Sequence, residues 1–369
     1  MPNPAYLRHP SLRGDAVAFV SDDDLWLGSI HGGPAQRLTA GLSEPSTPCL
    51  SPDGRSIAYV GRDEQHPEVW LMSLDGGNAR RMTWLGPDVM VRGWAPNGHI
   101  VFVTTHGQPF FRNYRAYTLD PAGGLPKLLP LGQVNHLDFD RDHPAHRRVI
   151  GRNTADPARW KRYRGGTAGQ LWVDEHGSGQ FRRLTLPAGN PSSPMWLGGR
   201  IYLLSDHEGV GNLYSCRPDG SHLQRHTDHD AFYARHAQTD GRHIVYQCAG
   251  DLWLYDPAQD STRRLEIELP GHRSQAARRF VPAADHLAGA ALHPQGHSLA
   301  LDVRGKLFTM PLWEGAVHQH GPADGVRLRH GQWLADGRTL VVVSDASGEE
   351  QLEVHVDGEA HPLPGDVGR

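Results

Sequence analysis

The stretch Pro48–Trp84, PCLSPDGRSIAYVGRDEQHPEVWLMSLDGGNARRMTW, decides the fold of this chain. Two turn signals divide it. In Ser51–Arg55, proline and glycine supply the fixed and the permissive φ angles of a tight turn, and Asp75–Gly77 is a hairpin signal. The segments between the turns are short and apolar, and the last one is polar. The stretch therefore predicts four strands, one ending at Cys49–Leu50 and the others at Ser56–Val60, Glu68–Met72 and Ala79–Thr83.

The same unit recurs along the chain. Its third predicted strand carries a small or aliphatic residue followed by an aromatic ring, at Leu25–Trp26, Val69–Trp70, Ala116–Tyr117, Leu171–Trp172, Leu213–Tyr214 and Leu252–Trp253. Successive rings are 44, 47, 55, 42 and 39 residues apart. A period of about 40–50 residues with four short strands per unit is typical of a β-propeller, in which each unit is one blade. We therefore expect an all-β fold with a six-bladed β-propeller over residues 1–269.

The recurring ring has a packing explanation. A single blade cannot bury both faces of its sheet, so neighbouring blades must cover each other. We expect the aromatic ring of each third strand to pack between blades, because such a ring removes about 150–250 Å² from water when it is buried. Each unit is also complete in contiguous sequence. This predicts a ring that closes without a strand from the other end of the chain, by packing between blades alone.

The composition excludes several classes of protein. The chain has 369 residues, with 37 basic and 41 acidic side chains and a formal net charge of −4, which favours neither a nucleic-acid partner nor an anionic membrane surface. No apolar run is long enough to span a membrane, and Met1–Pro4 does not begin a signal peptide, so neither is expected. Cys49, Cys216 and Cys248 indicate buried, reduced thiols in a cytoplasmic protein.

The pattern changes once and then resumes. Residues 270–280 form a basic segment with Gly, Pro and Ser, typical of a linker. After it, strands are predicted at Ser298–Val303, Lys306–Met310, Thr339–Ser344 and Gln351–Val356. Two further blades cannot close a ring, so they either extend the first ring to eight blades or begin a second one. The change in composition favours the second alternative, with residues 281–369 as the first two blades of an incomplete second propeller.

Four stretches resemble a known family. They are Asp23–Trp26, Val149–Thr154, Trp160–Thr167 and Asp240–Ile244, and the segment RYRGGT at 162–167 is the most specific of them. In this order, over about residues 12–260, they resemble the N-terminal region of the tricorn proteases, large cytoplasmic serine peptidases. The resemblance implies a six-bladed propeller followed by a seven-bladed one, of which this chain holds only the first two blades.

The resemblance also implies a function. This segment would be a non-catalytic module of a serine peptidase that degrades oligopeptides released by larger proteases, with the Ser–His site in later domains. The propellers of the family act as gated channels for peptides, so the segment would be a substrate or product channel and an assembly scaffold. The implied partners are oligopeptides, the remaining domains of the same polypeptide and further copies in a hexamer. No cofactor, metal, nucleic acid or membrane is implied.

Basic residues are the candidates for a substrate channel. The family anchors the substrate C-terminus with an arginine pair between the second and third blades, but the loop Leu85–Arg92 keeps only Arg92, and Arg80–Arg81 lies on the outer strand. The densest basic and aromatic cluster is Arg159–Arg164. Because arginine forms bidentate pairs with carboxylates, we expect the channel to be lined by Arg92, Arg159, Lys161, Arg162 and Arg164. Packing of this loop on a neighbouring blade or subunit is the alternative.

The sequence gives only weak signals for metal binding and for catalysis. The histidine groups His222, His226 and His229, and His136, His143 and His146, lack a zinc-type ligand pattern, so we interpret them as solvated loop residues. We interpret Asp22–Asp24 as an acidic, solvated loop. The chain has no Gly-x-Ser-x-Gly motif. Two other functions stay open: a free-standing scaffold similar to the Tol-system propeller, and the propeller of a prolyl-oligopeptidase-type enzyme.

Overall fold

The structure is a computed structural model that divides into two compact units, residues 1–276 and 277–369. It describes residues 6–41, 43–63, 66–76, 78–154, 156, 158–159, 161–271, 282–322 and 325–363. The N-terminal stretch Met1–Pro4, the ring of Trp160 and most of the predicted linker at 270–280 therefore lie outside the described residues. No helix in the described part of the chain has the length and the apolar character that crossing a membrane requires.

The described residues of unit 1 form six four-stranded antiparallel sheets, each built from strands close together in the chain. Sheet 1 comprises β1 Arg8–Arg13, β2 Ala16–Ser21, β3 Asp24–Ser29 and β5 Gln36–Arg37, with β4 Gly33–Pro34 between the last two. Sheet 2 comprises β6 Ser46–Leu50, β7 Ser56–Gly61, β8 Glu68–Ser73 and β9 Arg80–Arg81. Sheet 3 comprises β10 Val89–Trp94, β11 Ile100–Thr104, β12 Arg115–Leu119 and β13 Lys127–Leu128.

The second half of unit 1 repeats this order. Sheet 4 comprises β14 His136–Phe139, β15 Arg148–Arg152, β16 Gln170–Asp174 and β17 Arg182–Arg183. Sheet 5 comprises β18 Ser192–Leu197, β19 Arg200–Ser205, β20 Asn212–Cys216 and β21 Gln224–Arg225. Sheet 6 comprises β22 Arg235–Thr239, β23 Ile244–Cys248, β24 Asp251–Asp256 and β25 Ser261–Arg264, and the short strand β26 Ile267–Glu268 follows it.

Apolar clusters lie between neighbouring sheets, and this arrangement is that of a β-propeller. One cluster is shared by each pair of consecutive sheets, and another joins sheet 6 to sheet 1. The six third-strand rings belong to these clusters, each against the preceding sheet: Trp26, Trp70, Tyr117, Trp172, Tyr214 and Trp253. The prediction that these aromatic residues pack between sheets is confirmed.

The outer strand of sheet 2 is shorter than predicted, because the residues after Arg81 turn inward. Met82 joins the apolar core. The Thr83 hydroxyl accepts a hydrogen bond from the Val69 N–H at 2.9 Å and donates one to Glu68 at 2.5 Å. Arg81 lies 3.4 Å from the same carboxylate. The recurring Arg-x-Thr sequence is therefore a clamp between the third and fourth strands.

The clamp is repeated in other sheets. Sheet 1 uses Asp24, Arg37 and Thr39, and sheet 5 uses Asn212 and Thr227. Asp24 is only 1 % exposed, so the interpretation of Asp22–Asp24 as a solvated loop is wrong for this residue. A buried carboxylate requires charged and hydrogen-bonding partners, and the clamp supplies both.

The closure of sheet 6 onto sheet 1 differs in part from the prediction. Among the described residues, no four-stranded sheet mixes strands from the two ends of unit 1, as predicted. The expectation of packing alone is wrong, because β26 pairs in parallel with β4. Gly33 and Ala35 donate backbone hydrogen bonds to Glu266 and Glu268 at 2.9 and 2.8 Å. The turn at buried Leu265 brings the chain back onto sheet 1, and Ile267 packs on the shared cluster.

Unit 2 contains a 3₁₀ turn at Ala283–His286 and two four-stranded sheets among its described residues. Sheet 7 comprises β27 Leu287–Leu292, β28 Ser298–Val303, β29 Lys306–Pro311 and β30 His318–His320. Sheet 8 comprises β31 Leu328–Trp333, β32 Thr339–Ser344, β33 Gln351–Val356 and β34 Glu359–Pro362. An apolar cluster including Leu307, Leu328 and Val342 lies between the two sheets. The strands predicted for this unit are confirmed.

Candidate functional site

The innermost strands of unit 1 are irregular. Strands β1, β6, β10, β18 and β22 each contain a break in register against the second strand. Four residues at these breaks have a left-handed backbone, with φ between 44° and 52°: His9, Thr47, Ser193 and His236. A bulge re-aims a side chain, and a non-glycine residue with positive φ costs free energy that the surrounding structure must offset. The irregular positions are therefore candidates for function.

These positions line a common space on the axis of the six sheets. Residues from the innermost strands of all six sheets surround a narrow space of about 90 Å³. We call part of its lining the neck: the irregular positions His9, Thr47, Arg92, Ser193 and His236, together with His136 on the regular strand β14. A volume of this size holds roughly half a dozen waters. The neck is too small for an extended peptide in this conformation, but it accommodates a small polar group.

The neck histidines are uncharged near neutral pH. Burial lowers the pKa of His9 and of His136 well below the usual value, and it lowers the pKa of His236 to about 3. The positive charge of Arg92 contributes to the lowering at all three. The rings of His9 and His236 are 4.3 Å apart, and His136 Nδ1 is 2.8 Å from the Thr154 hydroxyl. The neck thus contains polar but neutral imidazoles.

Arg92 is the cation of the neck. Its Nε donates a hydrogen bond to the carbonyl oxygen of Asn135 at 2.7 Å, and one terminal nitrogen is 3.0 Å from the sulfur of Met90. Burial lowers its pKa to about 10, which still leaves it charged at neutral pH. The negative charge of Asp88 opposes this lowering of the Arg92 pKa. The Asp88 carboxylate also accepts a hydrogen bond from the Tyr114 hydroxyl.

A larger cavity of about 610 Å³ lies beside the neck. We call it the mouth cavity; its lining includes Asp88, Phe111, Arg112, Tyr114, Asn135, Asp156, Arg159 and Tyr163. These residues come from loops that precede the first strand or follow the second strand of sheets 3 and 4, so they share one end of the sheets. Because Asn135 lines the mouth cavity while its carbonyl binds Arg92, the neck and the mouth cavity adjoin.

The predicted channel residues do not form one group. Arg92 lines the neck and Arg159 lines the mouth cavity, and both charges act on the pKa of Tyr114. Lys161 instead lies over the ring of Tyr233 at 5.4 Å, on the loop before sheet 6. Arg162 has a φ of 58°, and its backbone N–H donates to buried Asp206 of sheet 5 at 2.7 Å. Arg164 lines a separate surface pocket with Gly165 and Gly166.

Sequence reasoning did not identify the three neck histidines together. Spacing groups His136 with His143 and His146, and nothing in the sequence connects His9 or His236 with them. The only signal was their place on innermost strands, which periodicity alone does not distinguish from any other strand position. The interpretation of solvated loop histidines is also wrong for His226 and His229, because His226 is buried and the ring of His229 lies 2.9 Å from the Tyr246 hydroxyl.

A serine, a histidine and an aspartate between sheets 5 and 6 resemble a catalytic triad. His226 Nε2 is 2.7 Å from the Ser215 hydroxyl, and its Nδ1 is 2.7 Å from Asp260. Ser215 is fully buried on β20, and Arg200 Nε donates to its oxygen at 2.9 Å. A nucleophile needs access to substrate, so this group serves as a polar contact between the two sheets.

The described residues contain no group of three or more His, Cys, Asp or Glu side chains arranged to hold a metal ion. Cys49, Cys216 and Cys248 are free and buried, as predicted. Burial raises the pKa of Cys49 to about 12 and that of Cys216 and Cys248 to about 11. These thiols are therefore protonated and unreactive near neutral pH.

Residues 4–261 match the family model of the tricorn protease N-terminal beta propeller domain. Among the relatives of known name, a tricorn protease homolog of Streptomyces coelicolor, homolog 2, is 43 % identical over 95 % of this chain. A tricorn protease homolog of Saccharolobus solfataricus is 37 % identical over 96 % of it. The crystal structure of the tricorn protease superposes with a TM-score of 0.81 and 26 % identity over 99 % of this chain.

The chain spans about a third of the length of these proteins. It covers 30 % of the first relative, 35 % of the second and 36 % of the crystallised chain. The match therefore concerns about a third of a larger polypeptide in each of them.

Proposed function

This chain belongs to the tricorn protease family, and we propose that it is the non-catalytic channel module of a cytoplasmic serine peptidase that degrades oligopeptides. In this proposal residues 1–269 are a six-bladed propeller, residues 270–280 are a linker, and residues 281–369 are the first two blades of a second propeller. The remaining domains of the same polypeptide supply the peptidase site. The whole protein assembles with further copies of itself, as a hexamer.

The observation that supports a channel role is the axial neck with the adjoining mouth cavity. The mouth cavity combines aromatic surface, at Phe111, Tyr114 and Tyr163, with the cation Arg159 and with amide side chains. Aromatic faces and amides suit diverse peptide side chains, and an arginine suits a carboxylate. A peptide would enter or leave by this end. The neck would pass it only when the innermost strands move apart.

The channel role is tested in the full-length polypeptide that contains this segment. Gln238, which lines the channel on β22, is replaced by tryptophan to fill the neck, and Arg159→Glu changes the charge of the mouth cavity. We expect both variants to slow the hydrolysis of unlabelled oligopeptides several-fold. Arg164→Glu is the matched control, because this side chain is exposed and does not line the mouth cavity. Wild-type rates in the Gln238→Trp variant would contradict the proposal.

The non-catalytic role is tested separately with the 369-residue chain alone. We expect no hydrolysis of fluorogenic peptides. Turnover that disappears in Ser215→Ala would mean that the triad-like group between sheets 5 and 6 is an active site, and the proposal would then be wrong.

A further inference from the structure

The clamp between the third and fourth strands occurs at one register in several sheets. In five sheets of unit 1 the third-strand ring lies opposite an arginine of the fourth strand: Trp26 and Arg37, Trp70 and Arg81, Trp172 and Arg183, Tyr214 and Arg225, Trp253 and Arg264. The residue two positions before each ring therefore occupies an equivalent place. In three sheets it is a carboxylate paired with that arginine: Asp24, Glu68 and Asp251.

Sheet 4 lacks this carboxylate. Its equivalent residue is Gln170, whose amide carries no charge. Within the described part of the chain, the exposed guanidinium of Arg183 forms neither an ion pair nor a hydrogen bond. The clamp threonine, Thr185, is also exposed, whereas Thr83 and Thr227 are only 2 % and 4 % exposed. We call Gln170, Arg183 and Thr185 the open clamp.

Sheet 5 shows that an amide at this place does not by itself leave the arginine without an anion. There Arg225 pairs with Glu208 at 3.0 Å and with Asp228 at 3.2 Å. At the corresponding positions of its own sequence, four residues before the amide and three residues after the arginine, sheet 4 has Gly166 and Leu186. The chain thus compensates for the amide in sheet 5 but not in sheet 4.

A surface pocket of about 590 Å³ lies at the open clamp. All three residues of the open clamp line it, and none of its described lining residues is acidic. Arg164, from the glycine-rich loop before sheet 4's third strand, adds a second positive charge to the lining. An arginine binds a carboxylate through two parallel N–H groups, so it suits this ligand particularly well. The pocket therefore offers space and positive charge where other sheets have their own carboxylate.

We propose that the open clamp is a docking site for an acidic side chain of another protein segment. The carboxylate of this aspartate or glutamate binds Arg183 and accepts a hydrogen bond from the Thr185 hydroxyl. It takes the place that Asp24 and Glu68 occupy in their own sheets, which favours a carboxylate over a phosphate group. The proposal assigns this site no part in the passage of peptides and does not depend on the proposed peptidase function.

The test uses the 369-residue chain and a hexapeptide with two central glutamates, acetylated and amidated so that its ends carry no charge. Binding is followed by the Nε–Hε NMR signal of Arg183, assigned through its loss in Arg183→Lys. We expect a saturable shift that weakens as salt is added, and no shift with the same peptide carrying glutamines. Inorganic phosphate that binds at least as tightly as the acidic peptide at equal ionic strength would overturn the proposal.

Arg183→Gln tests the cation itself, with binding followed by the Arg164 Nε–Hε signal. We expect an affinity for the acidic peptide about 5- to 20-fold lower than that of the wild type. Arg182→Gln is the matched control, because Arg182 is the neighbouring residue on the same strand and already pairs with Glu175 at 3.3 Å. Equal affinities in wild type and Arg183→Gln would contradict the proposal.

Gln170→Glu supplies the missing carboxylate within the sheet, as Glu68 does in sheet 2. We expect this change to shift the Arg183 signal in the absence of peptide and to weaken binding of the acidic peptide at least as much as Arg183→Gln does. Its melting temperature should be no lower than that of the wild type, so loss of folding would not explain the result. Wild-type affinity in Gln170→Glu would mean that the pocket is not the place of a clamp carboxylate.

Sedimentation of the 369-residue chain at increasing concentration separates two sources of the acidic segment. Association that disappears in both Arg183→Gln and Gln170→Glu supports a second copy of this chain as the partner. A monomer at all concentrations that still binds the acidic peptide supports a different protein segment. A monomer that does not bind the peptide would overturn the proposal. The peptidase tests are unaffected by any of these results, because they measure hydrolysis.

Discussion

The inner and outer strands of the same sheets differ in regularity and in chemistry. Outer strands such as β9 and β21 are two residues long and end in one repeated clamp, which joins them to the third strand. Inner strands are longer, are bulged in five of the six sheets of unit 1, and carry histidine, threonine, arginine or serine at the neck position. The repeated part maintains the fold, and the varied part lines the neck. The predictions below test this division.

The largest expected effect is the pH dependence of stability from the inner strands. The folded protein keeps His236 neutral, with a pKa of about 3, whereas an unfolded histidine titrates near 6.5. Below about pH 6.5 the unfolded state binds more protons, so the free energy of unfolding falls as the pH decreases toward 3, by roughly 1 kcal/mol per pH unit. His9 and His136 act in the same direction.

Urea unfolding between pH 7 and pH 4 measures this slope. His236→Gln should flatten it, and His146→Gln, which changes an exposed histidine, should not. An equal slope in wild type and His236→Gln would show that the inner strands do not control acid stability.

The second prediction concerns the outer clamp. Glu68→Ala removes the acceptor of Thr83 and leaves Arg81 without its buried partner, so we expect a loss of about 3–5 kcal/mol in the free energy of unfolding. The matched control is Asp251→Ala in sheet 6, where the equivalent pair with Arg264 is 39 % and 47 % exposed. There we expect at most about 1 kcal/mol. Similar losses in the two variants would mean that burial does not determine how much the clamp contributes to the free energy of unfolding.

The third prediction tests the closure between sheets 6 and 1. Gly32 has a φ of +83°, and a Cβ there would lie 2.7 Å from the carbonyl oxygen of Glu266. Gly33 has a similar φ of +85°, but its Cβ would meet no atom within 4 Å. We expect Gly33→Ala to cost about 1 kcal/mol from backbone strain, and Gly32→Ala to cost about 1–2 kcal/mol more. Chemical denaturation measures both. Equal costs would show that the β4–β26 contact adds nothing to closure.

The smallest expected effect is at a bulge. Ser193 has a φ of 45°, so Ser193→Gly should relieve strain and change the free energy of unfolding by less than about 1 kcal/mol, in the stabilising direction. Ser192→Gly is the control on the same strand, without a positive φ, and should destabilise by about 0.5–1 kcal/mol. Destabilisation by Ser193→Gly beyond that of Ser192→Gly would mean that the bulge depends on the serine side chain.

Much of the fold was predictable because its signals are local. Turn residues and alternating apolar positions set strands such as Ser298–Val303 and Gln351–Val356, which the structure reproduces. The period of the aromatic residues predicted the repeated sheets and the packing of the rings between them. The parallel contact of β26 with β4 was not predictable in this way, because two-residue strands have no periodicity and their partners are more than 200 residues apart.

The candidate site was predictable only in part. Arg92 was selected as a loop residue, yet it lies on the bulged strand β10 and lines the neck. The sequence presents Arg159–Arg164 as one group, but the fold separates its members. The Arg162 backbone binds Asp206 of sheet 5, Lys161 lies over Tyr233 before sheet 6, and Arg159 and Arg164 line two different pockets. Backbone hydrogen bonds to residues far along the chain decide these directions, and no spacing within the cluster reveals them.

The sequence by itself determined the repeating unit, the strands within it, the rings that pack between sheets and the family of the protein, because each of these depends on residues close together in the chain. Only the tertiary structure decided which side chains meet at the axis. His9, His136 and His236 are 127 and 100 residues apart, and they share one space because the innermost strands of all six sheets of unit 1 line it. These histidines are neutral because they are buried. Their burial results from the packing of the six sheets, which the sequence alone does not specify.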